Sequence, residues 1–282
     1  MNDIKFKNIK VTKSSKSIGA FIEGVQLDKY IDEYTVNEIY RAFLKYQVIF
    51  FRNQYFTPEK YFSFAKNIGV PIIYPFVKGL EDIPEITPIL KKKSDKNNFG
   101  GVWHSDTTYL KQPPKATMLY ALEVPKKGGD TEFSNQYLAY EKLSTKMKKF
   151  LKNKKAYFVS NKVEASKTRT DLLNHSSNNI KNNNFESIHP VIRTHPETNK
   201  KSLYVNIAHT TRFTDMSEED SYPILKFLFL HQIKYDFIYR FKWEKGSLAI
   251  WDNRCVMHNP INDYQGSRRL MHRITFEGDK PE

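Results

Sequence analysis

Apolar positions near the start of the chain recur at helical spacing. Val36, Ile39 and Phe43 lie three and four residues apart, which stacks them on one face of a helix. Thr35 and Glu38 form a capping-box pattern in front of them, so a helix is predicted from Thr35 to about Lys45. The next run, Val48–Phe51, is wholly apolar and reads as a buried strand. Thr57 and Pro58 open a second helix, with Tyr61, Phe62 and Ala65 as its apolar face and Gly69 near its end. From about Gly101 the pattern changes to short apolar or alternating runs between turn residues. Lys201–Ile207, Asp236–Lys242, Ser247–Asp252 and Arg268–Phe276 are the predicted strands. One helix interrupts them, capped by Ser217 and carrying Ile224, Leu225, Phe227, Leu228 and Leu230. The polar, Asn-rich stretch around 160–187 reads as a long loop, either a mobile lid over an active site or a plain surface insertion. No internal repeat or linker divides the chain. A single domain over 1–282 is expected, mainly β with flanking helices (α+β), its core a β-sandwich or jelly roll.

Composition narrows the class. A chain of 282 residues with 39% hydrophobic content can bury a substantial core. No apolar run is long enough to span a bilayer, and the start MNDIKFKNIKVTK lacks the apolar core of a signal peptide, so a cytoplasmic protein without a membrane partner is expected. The single cysteine, Cys255, excludes intrachain disulfides and cysteine cages for zinc or iron–sulfur clusters. A metal would have to sit on nitrogen and oxygen. The net charge of +14 invites a nucleic-acid reading. Its lysines, however, are scattered beside Asn-rich sequence without interleaved aromatics, which describes a solvated surface and not a nucleic-acid groove.

The chemistry concentrates in two segments. In GVWHSDTTY, His104 and Asp106 stand two residues apart, so an extended strand would project both from one face. Imidazole and carboxylate together suit a borderline divalent ion, and two histidines with one carboxylate leave open positions, the arrangement of non-haem iron oxygenases. The segment Trp251–Arg273 offers the further histidine, His258, followed eleven residues later by Arg269. Period-two alternation puts Arg269 and Arg273 on the same face of the last strand. Two inward arginines call for anions to pair with them.

The order H-x-D, a distant His, ten intervening residues and Arg resembles the taurine and phenoxyacetate (TauD/TfdA) family of iron(II), 2-oxoglutarate-dependent dioxygenases. The resemblance extends over GAFIEG at Gly19–Gly24, FFRNQ at Phe50–Gln54, WHSDTTY, GGDT at Gly128–Thr131, HPVIRTHPETNKKSLYVN at His189–Asn206, and WDNR with MHRIT. It implies a double-stranded β-helix (jelly roll, clavaminate-synthase-like). It also implies Fe(II) on His104, Asp106 and His258, with 2-oxoglutarate and O2 as co-substrates. Thr131 and Arg269 would hold the distal carboxylate of 2-oxoglutarate, and Arg273 would meet an acidic group of the substrate. Tyr74, Gly100, Thr107 and His209 complete the implied substrate pocket. The expected reaction hydroxylates a small anionic organic substrate, a sulfonate, sulfate ester or carboxylate, and yields succinate and CO2. A homo-oligomer is left open.

Three positions depart from taurine-specific members. VPIIYPF around Tyr74 lacks their histidine, Gly100 replaces an asparagine, and His209 replaces an aromatic residue. These departures argue against taurine as the substrate. His189, His195 and His272 read as polar-network or surface residues, Cys255 as a core residue, and Trp103 and Trp251 as packing. The rival class is a non-catalytic β-sandwich that binds a metal, an anion or nucleic acid without turnover.

Overall fold

The structure is a computed structural model that describes residues 5–171 and 184–282. Its largest sheet has eight strands. Lys10–Lys13, Ala20–Glu23, Val48–Phe51, Leu248–Asp252, Ala116–Glu123, Arg269–Phe276 and Pro71–Ile72 follow one another across it, and Thr87–Lys91 also pairs with Arg269–Phe276. A smaller sheet has Thr131–Asn135 at its centre, antiparallel to both Ile238–Phe241 and Val256–Pro260. Lys155–Val159 runs between Glu186–Pro190 and Thr210–Phe213 in a third sheet, and Ile192–Thr194 pairs with Lys201–Leu203. The architecture is mainly β with flanking helices. No helix among the described residues is long and apolar enough to cross a membrane.

The central strands of the large sheet are buried on both faces, so their side chains sort by parity. Val48, Phe50, Ala249 and Trp251 join a core shared with Phe133, Phe241 and Val256 of the smaller sheet. Their neighbours Ile49, Phe51, Leu248 and Ile250 point the other way, under the helices Glu33–Tyr46 and Pro58–Ala65. The side facing the smaller sheet is the one that carries the candidate chemistry.

Several predicted elements change on inspection. The first helix is capped by Asp32, whose carboxylate accepts from the Thr35 N–H at 2.9 Å and from the Thr35 hydroxyl at 2.8 Å. Glu38 is not a capping partner: it accepts from the backbone N–H groups of Lys7 and Asn8 and pins the incoming chain. In the second helix the buried apolar positions are Tyr61, Phe64 and Ala65, while Phe62 is half-buried. Short helices at Gln136–Glu141, Thr145–Leu151 and Val163–Ser166 join the one capped by Ser217, which runs Glu218–Gln232. On that helix Phe227 and Leu230 are exposed. The strand expected over Lys201–Ile207 stops at Leu203; the Tyr204 N–H still donates to the Val191 carbonyl, and the chain turns at 207–209. Of the stretch 160–187 expected as a lid or a surface insertion, Val163–Ser166 is helical and Glu186 begins a strand, while 172–183 lies outside the described residues.

Candidate active site

His258 sits in the strand Val256–Pro260, opposite Phe133 of the smaller sheet. His104 joins it by a single antiparallel bridge, the His104 N–H donating to the His258 carbonyl at 3.1 Å and the reverse bond measuring 2.8 Å. The chain around His104 is therefore not the extended strand its alternation predicts. One bridging residue is followed by a turn in which Thr107 takes φ 46°. The turn still delivers Asp106, and the ligand atoms of His104, Asp106 and His258 lie within 4.8 Å of one another.

The local bonding prepares these groups for a cation. His104 Nδ1 lies 2.6 Å from the Val102 carbonyl oxygen, which only accepts, so Nδ1 carries the proton and Nε2 presents a lone pair. His104 Nε2 faces Asp106 Oδ1 at 3.5 Å, a separation that a cation held by both groups would bridge. Burial and the neighbouring His104 push the His258 imidazolium pKa well below its ordinary value, so the ring is held neutral. Burial raises the Asp106 carboxyl, but the Arg273 guanidinium beside it more than offsets this and holds it well below the usual carboxylate range. Two imidazoles and one carboxylate fit a divalent metal of the iron type.

A relay of hydrogen bonds fixes the carboxylate. Thr117 Oγ1 donates to Asp106 Oδ2 at 2.5 Å and accepts from Asn253 Nδ2 at 2.9 Å, and Asn253 Oδ1 accepts from Trp251 Nε1 at 2.9 Å. Oδ1 is the oxygen that faces His104 Nε2 and Arg273 Nη2. Gly100, with φ +72°, makes room nearby: a Cβ there would stand 2.9 Å from His104 Cε1.

Arg269 and Arg273 point to the same side of their strand, as the alternation predicts, but they line separate cavities. Arg273 shares one with Tyr74, Gly100, Thr107, His209 and the metal-competent groups. Arg269 lines another with Lys91, Asn98 and Tyr264. Trp243 connects Arg269 to Thr131: its ring centroid is 5.7 Å from Arg269 Cζ, and its Nε1 donates to Thr131 Oγ1 at 2.9 Å. Arg269 is 4% exposed, and its Nε and Nη2 have no hydrogen-bond partner. A buried guanidinium with two unmet donors fits a carboxylate.

Arg273 Nη2 lies 2.9 Å from Asp106 Oδ1, yet its geometry there makes no hydrogen bond, so that donor too is unmet. Its Cζ stands 4.7 Å from the Tyr74 ring centroid. Thr107 Oγ1 is also buried and unpartnered. His209 Nδ1 faces the Val159 carbonyl at 3.2 Å, and burial, with Arg169 next, pushes its imidazolium pKa well below the ordinary value. A neutral His209 bonded through Nδ1 offers an acceptor at Nε2. It lines the same cavity as Arg273 and Tyr74.

A second cluster, His195, Asp252 and Cys255, has metal-like proximity but a different chemistry. His195 Nδ1 accepts from the N–H groups of Glu197 and Thr198, and Asp252 accepts from His195 Nε2 and from Arg254. Its nitrogen and carboxylate lone pairs are already engaged, so it is structural. His189 and His272 are buried or half-buried and Trp103 is only half-buried. Thr117, Asn253, Trp243 and Arg169 were not singled out by sequence. Thr117 carried a signal, a polar residue inside the apolar run ATMLYALE, whereas Arg169 in its polar stretch carried none.

Comparison with known proteins agrees with this geometry. The family model described as "Taurine catabolism dioxygenase TauD, TfdA family" matches residues 10–275. An alkylsulfatase of Acinetobacter baylyi is 31% identical over 278 residues, covering 97% of this chain and 86% of the relative. An alpha-ketoglutarate-dependent sulfate ester dioxygenase of Pseudomonas putida is 30% identical, covering 94% and 88%. Among solved structures, a taurine dioxygenase from Burkholderia xenovorans superposes with a TM-score of 0.82 at 31% identity, covering 98% of this chain and 93% of the other.

Proposed function

This chain belongs to the taurine catabolism dioxygenase TauD, TfdA family, and from that premise we propose that it hydroxylates a small anionic organic substrate at the His104, Asp106, His258 site. It is a 2-oxoglutarate-dependent dioxygenase that needs iron(II). We read 1–282 as one domain, and its packed sheets as a double-stranded β-helix, a reading supported by the family match and by the superposition. A reducing cytoplasm suits its single buried thiol, Cys255.

His104, Asp106 and His258 are the residues that would hold the metal. When bound, iron(II) supplies the oxidising chemistry in which 2-oxoglutarate and O2 become succinate and CO2 as the substrate gains a hydroxyl group. Arg269 orients the co-substrate through its free Nε and Nη2 donors. Thr131 assists: its hydroxyl accepts from Trp243, so its own proton is turned outward as a donor. Arg273 draws the substrate's acidic group toward the cavity it shares with Asp106. The aromatic wall of Tyr74, Phe76 and Tyr109, with centroids 5.6 and 5.8 Å apart in succession, excludes water from that cavity. Sulfate esters and sulfonates lead the substrate classes, supported by the relatives' activities, and taurine is disfavoured by the changes around Tyr74, at Gly100 and at His209.

The observation that carries this reading is the buried Arg269 guanidinium with unmet Nε and Nη2, on the same strand as Arg273, which lines a cavity with His104 and Asp106. Anaerobic addition of iron(II) and 2-oxoglutarate should produce a weak visible charge-transfer band that His104→Ala abolishes, and admission of O2 with a suitable anion should form succinate. A wild-type protein that shows neither band nor succinate would return the chain to the class of non-catalytic binders.

A further inference from the structure

Arg169 is a cation without a carboxylate. Its Nη1 donates to the Ser160 carbonyl at 3.1 Å, and among the described residues it forms no salt bridge. Its Cζ stands 5.4 Å from the Phe76 ring centroid and 5.5 Å from that of Tyr109, so it packs on the same aromatic wall whose Tyr74 end carries Arg273. Both arginines line the substrate cavity, and Asp106 is the sole carboxylate among the cavity's described residues. The cavity therefore holds more positive charge than its own walls balance. Arg273 is partly compensated by Asp106 at 2.9 Å; Arg169 is not.

The unmet donors also have a definite number. Thr107 Oγ1 and Arg273 Nη2 are buried and unpartnered, and Arg169 retains Nε and Nη2 beyond its bond to Ser160. Three separate groups can thus donate into one cavity, where the neutral His209 presents an acceptor. A planar carboxylate has two oxygens to distribute among three donor groups. A sulfate ester or sulfonate has three terminal oxygens, arranged around a tetrahedral centre. A buried donor left unmet costs free energy, so matching the number of oxygens to the number of donor groups discriminates between the two.

We propose that Arg169 is a specificity-determining residue which, with Arg273 and Thr107, selects a tetrahedral sulfur oxyanion over a carboxylate. The assignment rests on the anionic-substrate reading above and adds a second guanidinium to it. The alternative role for Arg169 is packing alone, holding the segment that follows Val163–Ser166 against Phe76 and Tyr109.

Calorimetric binding of hexyl sulfate, hexanesulfonate and hexanoate to the anaerobic protein loaded with iron(II) and 2-oxoglutarate separates the two roles. Wild type should bind hexyl sulfate and hexanesulfonate at least about tenfold more tightly than hexanoate, the scale of one charge-assisted bond. Arg169→Gln should weaken the two sulfur oxyanions about tenfold and hexanoate less than about threefold. Arg169→Lys should fall between, because an ammonium keeps the charge and loses the fork. The Lys variant carries the same comparison should the Gln variant not fold. Equal affinities in wild type, no binding of any of the three, or a uniform loss in the variants would overturn the assignment. Succinate formation is scored separately: a working oxygenase without this selectivity sinks Arg169 alone, whereas absence of succinate with every anion sinks both readings.

Discussion

At the scale of single residues, the site is recognisable by what its polar atoms lack. Arg269, Arg273 and Thr107 each keep a buried donor unmet, whereas Asp252, equally buried, has its oxygens filled by Arg254 and His195. An unmet donor alone does not mark the site, since Arg193 Nε and Nη1 are also buried and unpartnered; what distinguishes Arg273 and Thr107 is that they line one cavity with His104 and Asp106. The candidate ligand trio and the two arginines could be named from sequence because spacing and residue type, together with the order of motifs that resembles a known family, single them out. The relay behind Asp106 could not, since Thr117, Asn253 and Trp251 come from strands and turns that only the fold brings together. Thr117→Val keeps the shape and removes the 2.5 Å bond to Oδ2, freeing the carboxylate to rotate and stranding Asn253 Nδ2. Iron(II) affinity should fall about tenfold or more by anaerobic titration, as for other groups that orient a metal ligand. Affinity unchanged in that variant would show that packing alone positions Asp106.

At the scale of elements, local patterns succeeded where one face decides the structure. Val48–Phe51 was read with its boundaries intact because four consecutive apolar residues have no alternative to burial in a central strand. Thr57 and Ser217 were read as caps and are caps, accepting from Lys60 and Asp220 respectively. Thr35 was misread because Asp32, three residues upstream, starts the helix earlier and accepts from the Thr35 N–H itself, placing Thr35 inside the first turn, and a carboxylate is favoured at a helix N-terminus. Glu38, which completed the apparent pattern, is recruited by a chain segment about thirty residues away, a contact that local pattern cannot foresee. The consequence is an order of stabilities. Asp32→Ala, which loses both bonds to Thr35, should lower the urea midpoint more than Thr35→Val, which loses only the hydroxyl bond. The reverse order would restore Thr35 as the cap. Gly101–Tyr109 failed as a strand for a related reason: only His104 finds a ladder partner, and Thr107 leaves extended geometry to form the turn.

At the scale of the whole molecule, the resemblance read from scattered motifs and the superposition over 98% of the chain agree, since the motifs run from Gly19 to Thr275 and so sample nearly its whole length. What sequence could not supply was burial, and burial governs how the molecule responds to acid. His189 and His272 lie on different sheets, and burial lowers the imidazolium pKa of each to about 4. In the unfolded chain both titrate near about 6.5. Between these values the unfolded state binds more protons than the folded one, so stability is full above about pH 6.5 and is lost as pH falls toward about 4. Below that, both states carry the protons and these histidines contribute no further loss. Asp252 acts in a lower window: burial raises its carboxyl, Arg254 more than offsets this, and its stabilisation is lost only as pH falls below the ordinary carboxylate range. Acid also increases the self-repulsion of a chain already at +14. The urea midpoint should therefore decline between pH 7 and pH 4.5. His272→Gln should make that decline shallower, because its amide does not take up the proton that favours unfolding. A decline of unchanged slope in the variant would mean that His272 is protonated in the folded protein and contributes nothing to the loss.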